Sequence, residues 1–326
     1  VDYGGLVTLI LTVVPFMLAL TWAGVEYEWL SFPIIFLFAF SAAVLLLFIR
    51  IESRAEEPIL PLWIFRNRVV SVASIVTFIL GFGMFTGIIF IPLYFQGVLG
   101  SSATASGSFL TPMMLGLVVG SIVSGQLLAR AGGHYRIQGA VGIIFMAVGL
   151  FLLSRMTVET SYATAVMNII IMGLGLGITM PVYVIAIQNA VPYSIMEVAT
   201  STNTFFRSIG GAVGLAIAGS VMNNRFADDF TGGLPPEISE VIPAGQLSSL
   251  ADNPQALVSP EAQDQLRGCF ESMGSQGVQL FEQLLSTLRE ALNSALTEVF
   301  FFAFCAIAVA FIINLFLKEI PLRKHL

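Results

Sequence analysis

The chain has 326 residues, 56% of them hydrophobic and only 10% charged, with a mean hydropathy of +0.90. A soluble domain carries roughly 25% charged residues, so a water-soluble fold is excluded and lipid is the solvent for most of the surface. The net charge of −6 is local, since eleven of the twenty acidic residues lie between Asp228 and Glu298.

A membrane-crossing helix needs about 20 mostly apolar residues, and eight segments qualify. They run from Leu6 to Gly24, Pro33 to Ile49, Val69 to Phe95, Gly107 to Ala129, Ile137 to Ser154, Tyr162 to Ile187, Phe205 to Met222 and Val299 to Leu317. The expected fold is therefore an all-α polytopic membrane protein of about eight transmembrane helices.

Lys and Arg accumulate in cytoplasmic loops. Arg50, Arg54, Arg66 and Arg68 lie between the second and third spans, Arg130 and Arg136 between the fourth and fifth, and Lys318, Arg323 and Lys324 after the last. These three segments fall on one side, which makes both termini of the chain cytoplasmic and the location a cell membrane. The long segment from Asn223 to Glu298 is then extracytoplasmic. Pro235, Pro236, Pro243 and Pro254 exclude a long helix from its first half. From Ser275 onward, Val278, Phe281, Leu284, Leu285, Leu288 and Leu292 recur at helical spacing, the pattern of an amphipathic helix leading into the last span. Such a helix serves as a packing arm at the membrane mouth or as a substrate lid.

The eight apolar runs contain no Asp, Glu or His. His134 and His325 lie in a loop and in the tail. No metal-ligand spacing, catalytic triad or phosphate-binding loop is present, and Cys269 and Cys305 fall in different environments. An enzyme, a metal and a cofactor are not expected, nor is a nucleic-acid partner. The helices are rich in small residues instead. Gly116, Gly120 and Gly125, then Gly173, Gly175 and Gly177, then Gly210, Gly211, Gly214 and Gly219 allow close backbone packing or smooth sliding between helices.

Polar residues at membrane depth are expensive unless paired or facing water. Asn168, Thr179, Tyr183, Gln188 and Asn189 mark the sixth span, and Tyr94 and Gln96 end the third after Phe78, Phe82, Phe85 and Phe90. With Met172 and Met180 these compose a candidate cavity for bulky amphiphiles. Arg207 is the one charge at the edge of an apolar run. It reads as an interface anchor or as half of a gating pair with Glu197 in the preceding loop.

The stretch Gly125-Gln-Leu-Leu-Ala-Arg-Ala-Gly132 resembles the cytoplasmic loop motif of the major facilitator superfamily. Gly125, Arg130, Gly132 and Arg136 fit, and Ala129 stands where that motif has Asp. Gly173-Leu-Gly-Leu-Gly-Ile-Thr-Met-Pro181, Gln188-Asn-Ala-Val-Pro192, Arg207-Ser-Ile-Gly-Gly-Ala-Val-Gly214 and the opening Asp2-Tyr3-Gly4-Gly5 resemble the fourteen-helix drug:proton antiporter family. The resemblance implies a central helix pair in residues 1–55 and the first five helices of a C-terminal six-helix bundle in 56–222. An extracytoplasmic loop follows in 223–298, then the last helix and tail in 299–326. It further implies a proton-coupled exporter of lipophilic drugs or related amphiphiles, with substrate held mainly by the third and sixth helices here. The partners implied are protons, the bilayer, and a missing N-terminal six-helix half or a second copy. The penultimate span lacks the acid often found in that family. A non-transporting remnant or membrane scaffold is the alternative.

Overall fold

The computed structural model describes residues 3–24, 26–55, 58–101, 108–130, 134–235 and 275–320, with Ile238, Arg267, Gly268 and Phe270. Side chains 275 and 276 are excepted. Among these residues, eight helices are long and apolar enough to cross a membrane. They are α1 (Tyr3–Trp22), α2 (Phe32–Glu52), α3 (Arg68–Gly97), α4 (Leu110–Arg130), α5 (Tyr135–Leu153), α6 (Tyr162–Ala190), α7 (Met196–Gly233) and α8 (Ser275–Asn314).

Six expected spans coincide with their helices to within a few residues; the other two reach well beyond them. α7 extends past both ends of the expected Phe205–Met222 span. Residues 196–204 are therefore helix rather than loop, and residues 223–233 continue the helix where loop was expected. The apolar run ends at Met222, but no breaker occurs until Gly232 and Gly233. Phe226 and Phe230, four residues apart, are fully buried and stack at 5.3 Å. The expected amphipathic segment from Ser275 is the start of α8, continuous with the last span. The prolines at 236, 243 and 254, Cys269 and the tail from 321 lie outside the described residues.

α1 and α2 pair with each other and touch the rest only lightly, through α7. The Ser41 hydroxyl donates to the Thr12 carbonyl at 2.7 Å, and Trp29 donates to Ser220 at 3.2 Å. In the remaining six, α6 packs against α4 and α5, while α8 packs against α3, α5 and α7.

Glycine notches set these seams, because lipid provides no hydrophobic drive between helices and close packing must hold them. A Cβ on Gly116 or Gly120 would lie 2.7 or 2.5 Å from α6 carbonyl oxygens, and one on Gly173 or Gly177 would lie 2.3 or 2.1 Å from α4 carbonyls. Ser121 and Ser124 complete that seam by donating to Gly177 and Ile178 at 3.0 Å. Gly125 and Gly219 meet nothing within 4 Å and have no such role.

Candidate functional site

The α3–α7 seam is built the same way. A Cβ on Gly81 would lie 2.1 Å from the Arg207 carbonyl oxygen, and one on Gly210 would lie 1.9 Å from the Phe78 oxygen. Phe85 and Phe82 fill the notches at Gly211 and Gly214. These two phenylalanines, expected to line a cavity, thus seat ring atoms in helix notches, and Phe78 packs there through its backbone. Met172 is likewise locked, with its methyl against Gly87 and its backbone against Gly149.

The basic segments gather at one end of the bundle. Asn67 caps α3 by accepting from the Val69 N–H at 2.9 Å and donates to the Ala190 carbonyl at 2.9 Å, which places the α3 N-terminus beside the α6 C-terminus. Asn314 donates to the Arg136 carbonyl at 3.1 Å and accepts from Tyr183 at 2.8 Å, and Asn189 donates to the Ile320 carbonyl at 3.1 Å. Gln188 donates to Thr200 at 3.1 Å, joining α6 to α7. Its role is a tie between helix ends.

Within this framework Met180, Tyr183 and Arg207 come together, lining one crevice with Thr77, Leu80, Leu176, Thr179 and Asn203. Its free volume is about 10 Å³, room for a single water. Counted from the helix ends, Thr77, Thr179, Tyr183, Asn203 and Arg207 lie about 10–17 Å into α3, α6 and α7 at 1.5 Å per residue. Measured instead from the ends of the apolar runs, at Val69, Ile187 and Phe205, Thr77 and Thr179 are about 12 Å inside, Tyr183 about 6 Å and Arg207 about 3 Å, while Asn203 lies just before its run; the crevice thus sits toward the basic end of the bundle.

Arg207 is three turns into α7 but only two residues inside the apolar run that opens at Phe205, so the interface-anchor reading stands. An Arg at membrane centre costs about 2.5–3.5 kcal/mol on insertion scales. Glu197 lies in the first turn of the same helix, exposed. Ten residues of helix separate the two by about 15 Å, so the expected pair does not form. Among the described residues, Arg207 has no ion pair. The pairs present are Arg225 with Asp229 at 2.9 Å and with Glu298 at 3.2 Å, outside the expected Phe205–Met222 span.

Two more polar groups in the crevice also lack partners. The Thr77 hydroxyl and the Asn203 side-chain oxygen are buried with no hydrogen bond, and their residues are 3% and 1% exposed. Thr179 instead donates to the Leu176 carbonyl at 2.9 Å. Neither Thr77 nor Asn203 was expected as a site residue. The available signal was Asn203 one helical turn before Arg207, hidden because residues 196–204 read as loop.

The other candidates lie elsewhere. Tyr94 donates to the Thr157 carbonyl at 3.0 Å, about 26 Å along α3 from Thr77. Gln96 is beside it in the last turn, and Asn168 is buried in the opposite half of α6. Arg130 and Arg136 are exposed, Gly125 is half-buried in α4, and Gly132 lies outside the described residues.

The sequence profile described as the Major Facilitator Superfamily matches residues 4–215. A multidrug transporter protein of Bacillus subtilis strain 168, MdtP, is 36% identical over 333 residues, covering 99% of this chain and 59% of the relative. Multidrug resistance protein 3 of the same strain is 32% identical over 323 residues, covering 98% and 59%. The chain thus spans about three-fifths of the length of these relatives. A crystal structure of a bacterial homolog to the human lysosomal transporter Spinster, inward-facing and unoccupied, superposes with a TM-score of 0.54 at 14% identity. That likeness of fold covers 87% of this chain and 59% of the other.

Proposed function

The chain belongs to the major facilitator superfamily, and from that premise we propose that it is the C-terminal part of a proton-coupled exporter of lipophilic drugs or related amphiphiles. The observation that carries this reading is the similarity to multidrug transporters along 99% of the chain. The crevice between α3, α6 and α7 supports it, because polar side chains within membrane-crossing helices are retained where a pathway uses them.

In this reading α1 and α2 are a central pair standing beside the bundle formed by α3 to α8. The light contact between pair and bundle fits two bodies that move separately. Transport proceeds by rocking this bundle against a second six-helix bundle around a midplane site. The glycine seams of α4–α6 and α3–α7 keep the bundle rigid while it moves. The end that carries Arg66, Arg68, Arg130, Arg136 and Lys318 is cytoplasmic by the charge rule. The outer parts of α7 and α8 then project outside the membrane, joined by Arg225 to Glu298. The α8 arm comes near the end of α3, with Arg289 3.5 Å from where a Cβ on Gly100 would lie. That position suits a packing arm at the mouth.

The test is efflux of two fluorescent probes, a lipophilic cation and an amphiphilic acid, from energised cells. Cells carry this chain alone, this chain with the N-terminal six helices of a multidrug relative, or empty vector. Efflux of either probe with the added half, abolished by a protonophore, is expected. Efflux of both probes no faster than vector with or without the added half, or efflux that persists without a proton gradient, would refute the exporter reading.

A further inference from the structure

We propose that Arg207, with Asn203 and Thr77 behind it, is a receptor for a carboxylate that the described part of this chain does not supply. The first ground is an uncompensated charge. Arg207 stands just inside the apolar run of α7, half-buried, and none of the described carboxylates pairs with it. A guanidinium there needs a counter-charge, and its planar fork matches a carboxylate with two parallel N–H donors.

The second ground is independent of the charge. Thr77 offers an unused hydroxyl and Asn203 an unused oxygen, both buried and both lining the same crevice. Buried polar atoms in native folds are nearly always satisfied. The crevice has room for one water, and one water satisfies both groups. It accepts from the Thr77 hydroxyl and donates one hydrogen to the Asn203 oxygen. Its second hydrogen points to an anion held on Arg207 at the crevice mouth. Met180, Leu80 and Leu176 supply an apolar wall beside that head group. The arrangement fits an acid with an apolar body better than a lipophilic cation, which Arg207 would repel.

The backbone holds this receptor in place. Gly81 abuts the Arg207 carbonyl, and Gly210 on the next turn abuts Phe78, one residue after Thr77. The Tyr183 ring forms part of the wall while its hydroxyl is held by Asn314. The carboxylate has two possible bearers, a transported amphiphilic acid or a side chain of a partner six-helix bundle. Cargo as the bearer rests on the exporter reading, whereas the receptor chemistry does not.

The experiment follows modification of Arg207 by phenylglyoxal, read at single-residue level by peptide mass spectrometry, with the full chain in neutral maltoside micelles. Dodecanoate, dodecanol and dodecyltrimethylammonium are compared at mildly alkaline pH. A several-fold slowing at Arg207 by dodecanoate alone, with Arg130 and Arg136 unchanged, is the expected result and assigns the carboxylate to a ligand. Slowing without ligand when a relative's N-terminal six helices are co-expressed assigns it to a partner bundle. The Asn203→Leu variant should keep Arg207 reactive and lose most of the protection. Equal effects of the acid and the alcohol, or no protection in any arm, would overturn the receptor. Because transport is not measured, an inactive exporter and an absent receptor give different results.

Discussion

Gly210→Ala tests the α3–α7 seam most directly. The added methyl would fall 1.9 Å from the Phe78 carbonyl oxygen, whereas close carbon–oxygen contacts lie near ~3.3 Å. The helices must therefore separate locally by about 1.4 Å, since both partners are backbone and no rotamer change relieves the clash. A gap of even 0.5–1 Å forfeits roughly a quarter to a half of each dispersion contact. Here the contacts at risk include Phe85 and Phe82 in the notches of Gly211 and Gly214. Overpacking of this kind costs about 1–3 kcal/mol, offset by about 0.5–1 kcal/mol for replacing a helical Gly with Ala. The net expectation is destabilisation of up to about 2.5 kcal/mol. Gly219→Ala, on the same helix with nothing within 4 Å, keeps only the favourable part. Thermal unfolding of both variants in one detergent, followed by the helical circular dichroism band, should place Gly210→Ala below the parent and Gly219→Ala at or above it. Coincident transitions for the two variants would refute the notch argument.

Two further outcomes concern polar ties. Asn314→Leu removes the acceptor for Tyr183 and the donor to the Arg136 carbonyl. It should lower stability by about 1–3 kcal/mol, because a buried group left unsatisfied loses its hydration without return. A double-mutant cycle with Tyr183→Phe in the same melts should show non-additivity. Arg225→Ala breaks pairs with Asp229 and Glu298 whose side chains are 28% and 48% exposed. The change should stay under about 1 kcal/mol and shrink as salt rises. Melts at low and high ionic strength would show it.

The membrane spans were legible because a helix in lipid must be apolar for its whole crossing, and no soluble pattern imitates that. The ends of α7 were not legible for the same reason. Hydropathy reports where lipid ends, while the helix ends where its backbone bonds stop. Beyond Met222 the stabilising partner changes from lipid to α8, and only Phe226 and Phe230 four residues apart betray it. Asn203 was lost with the mistaken start of α7, although its spacing to Arg207 was in plain view once that start is moved.

The aromatic candidates show a different limit. Large side chains and Met line amphiphile pockets, so Phe82 and Phe85 read as cavity lining in the sequence, but a phenylalanine also fills any notch that a glycine leaves. The deciding partners, Gly211 and Gly214, are more than 120 positions away in the chain, and no spacing within α3 could reveal them. Both residue sets were visible separately; the pairing required the fold. Arg207 differs because its cost does not depend on a partner's identity. A half-buried charge just inside an apolar run asks for compensation in any packing, which is why it stands as a site candidate whatever the aromatics beside it do.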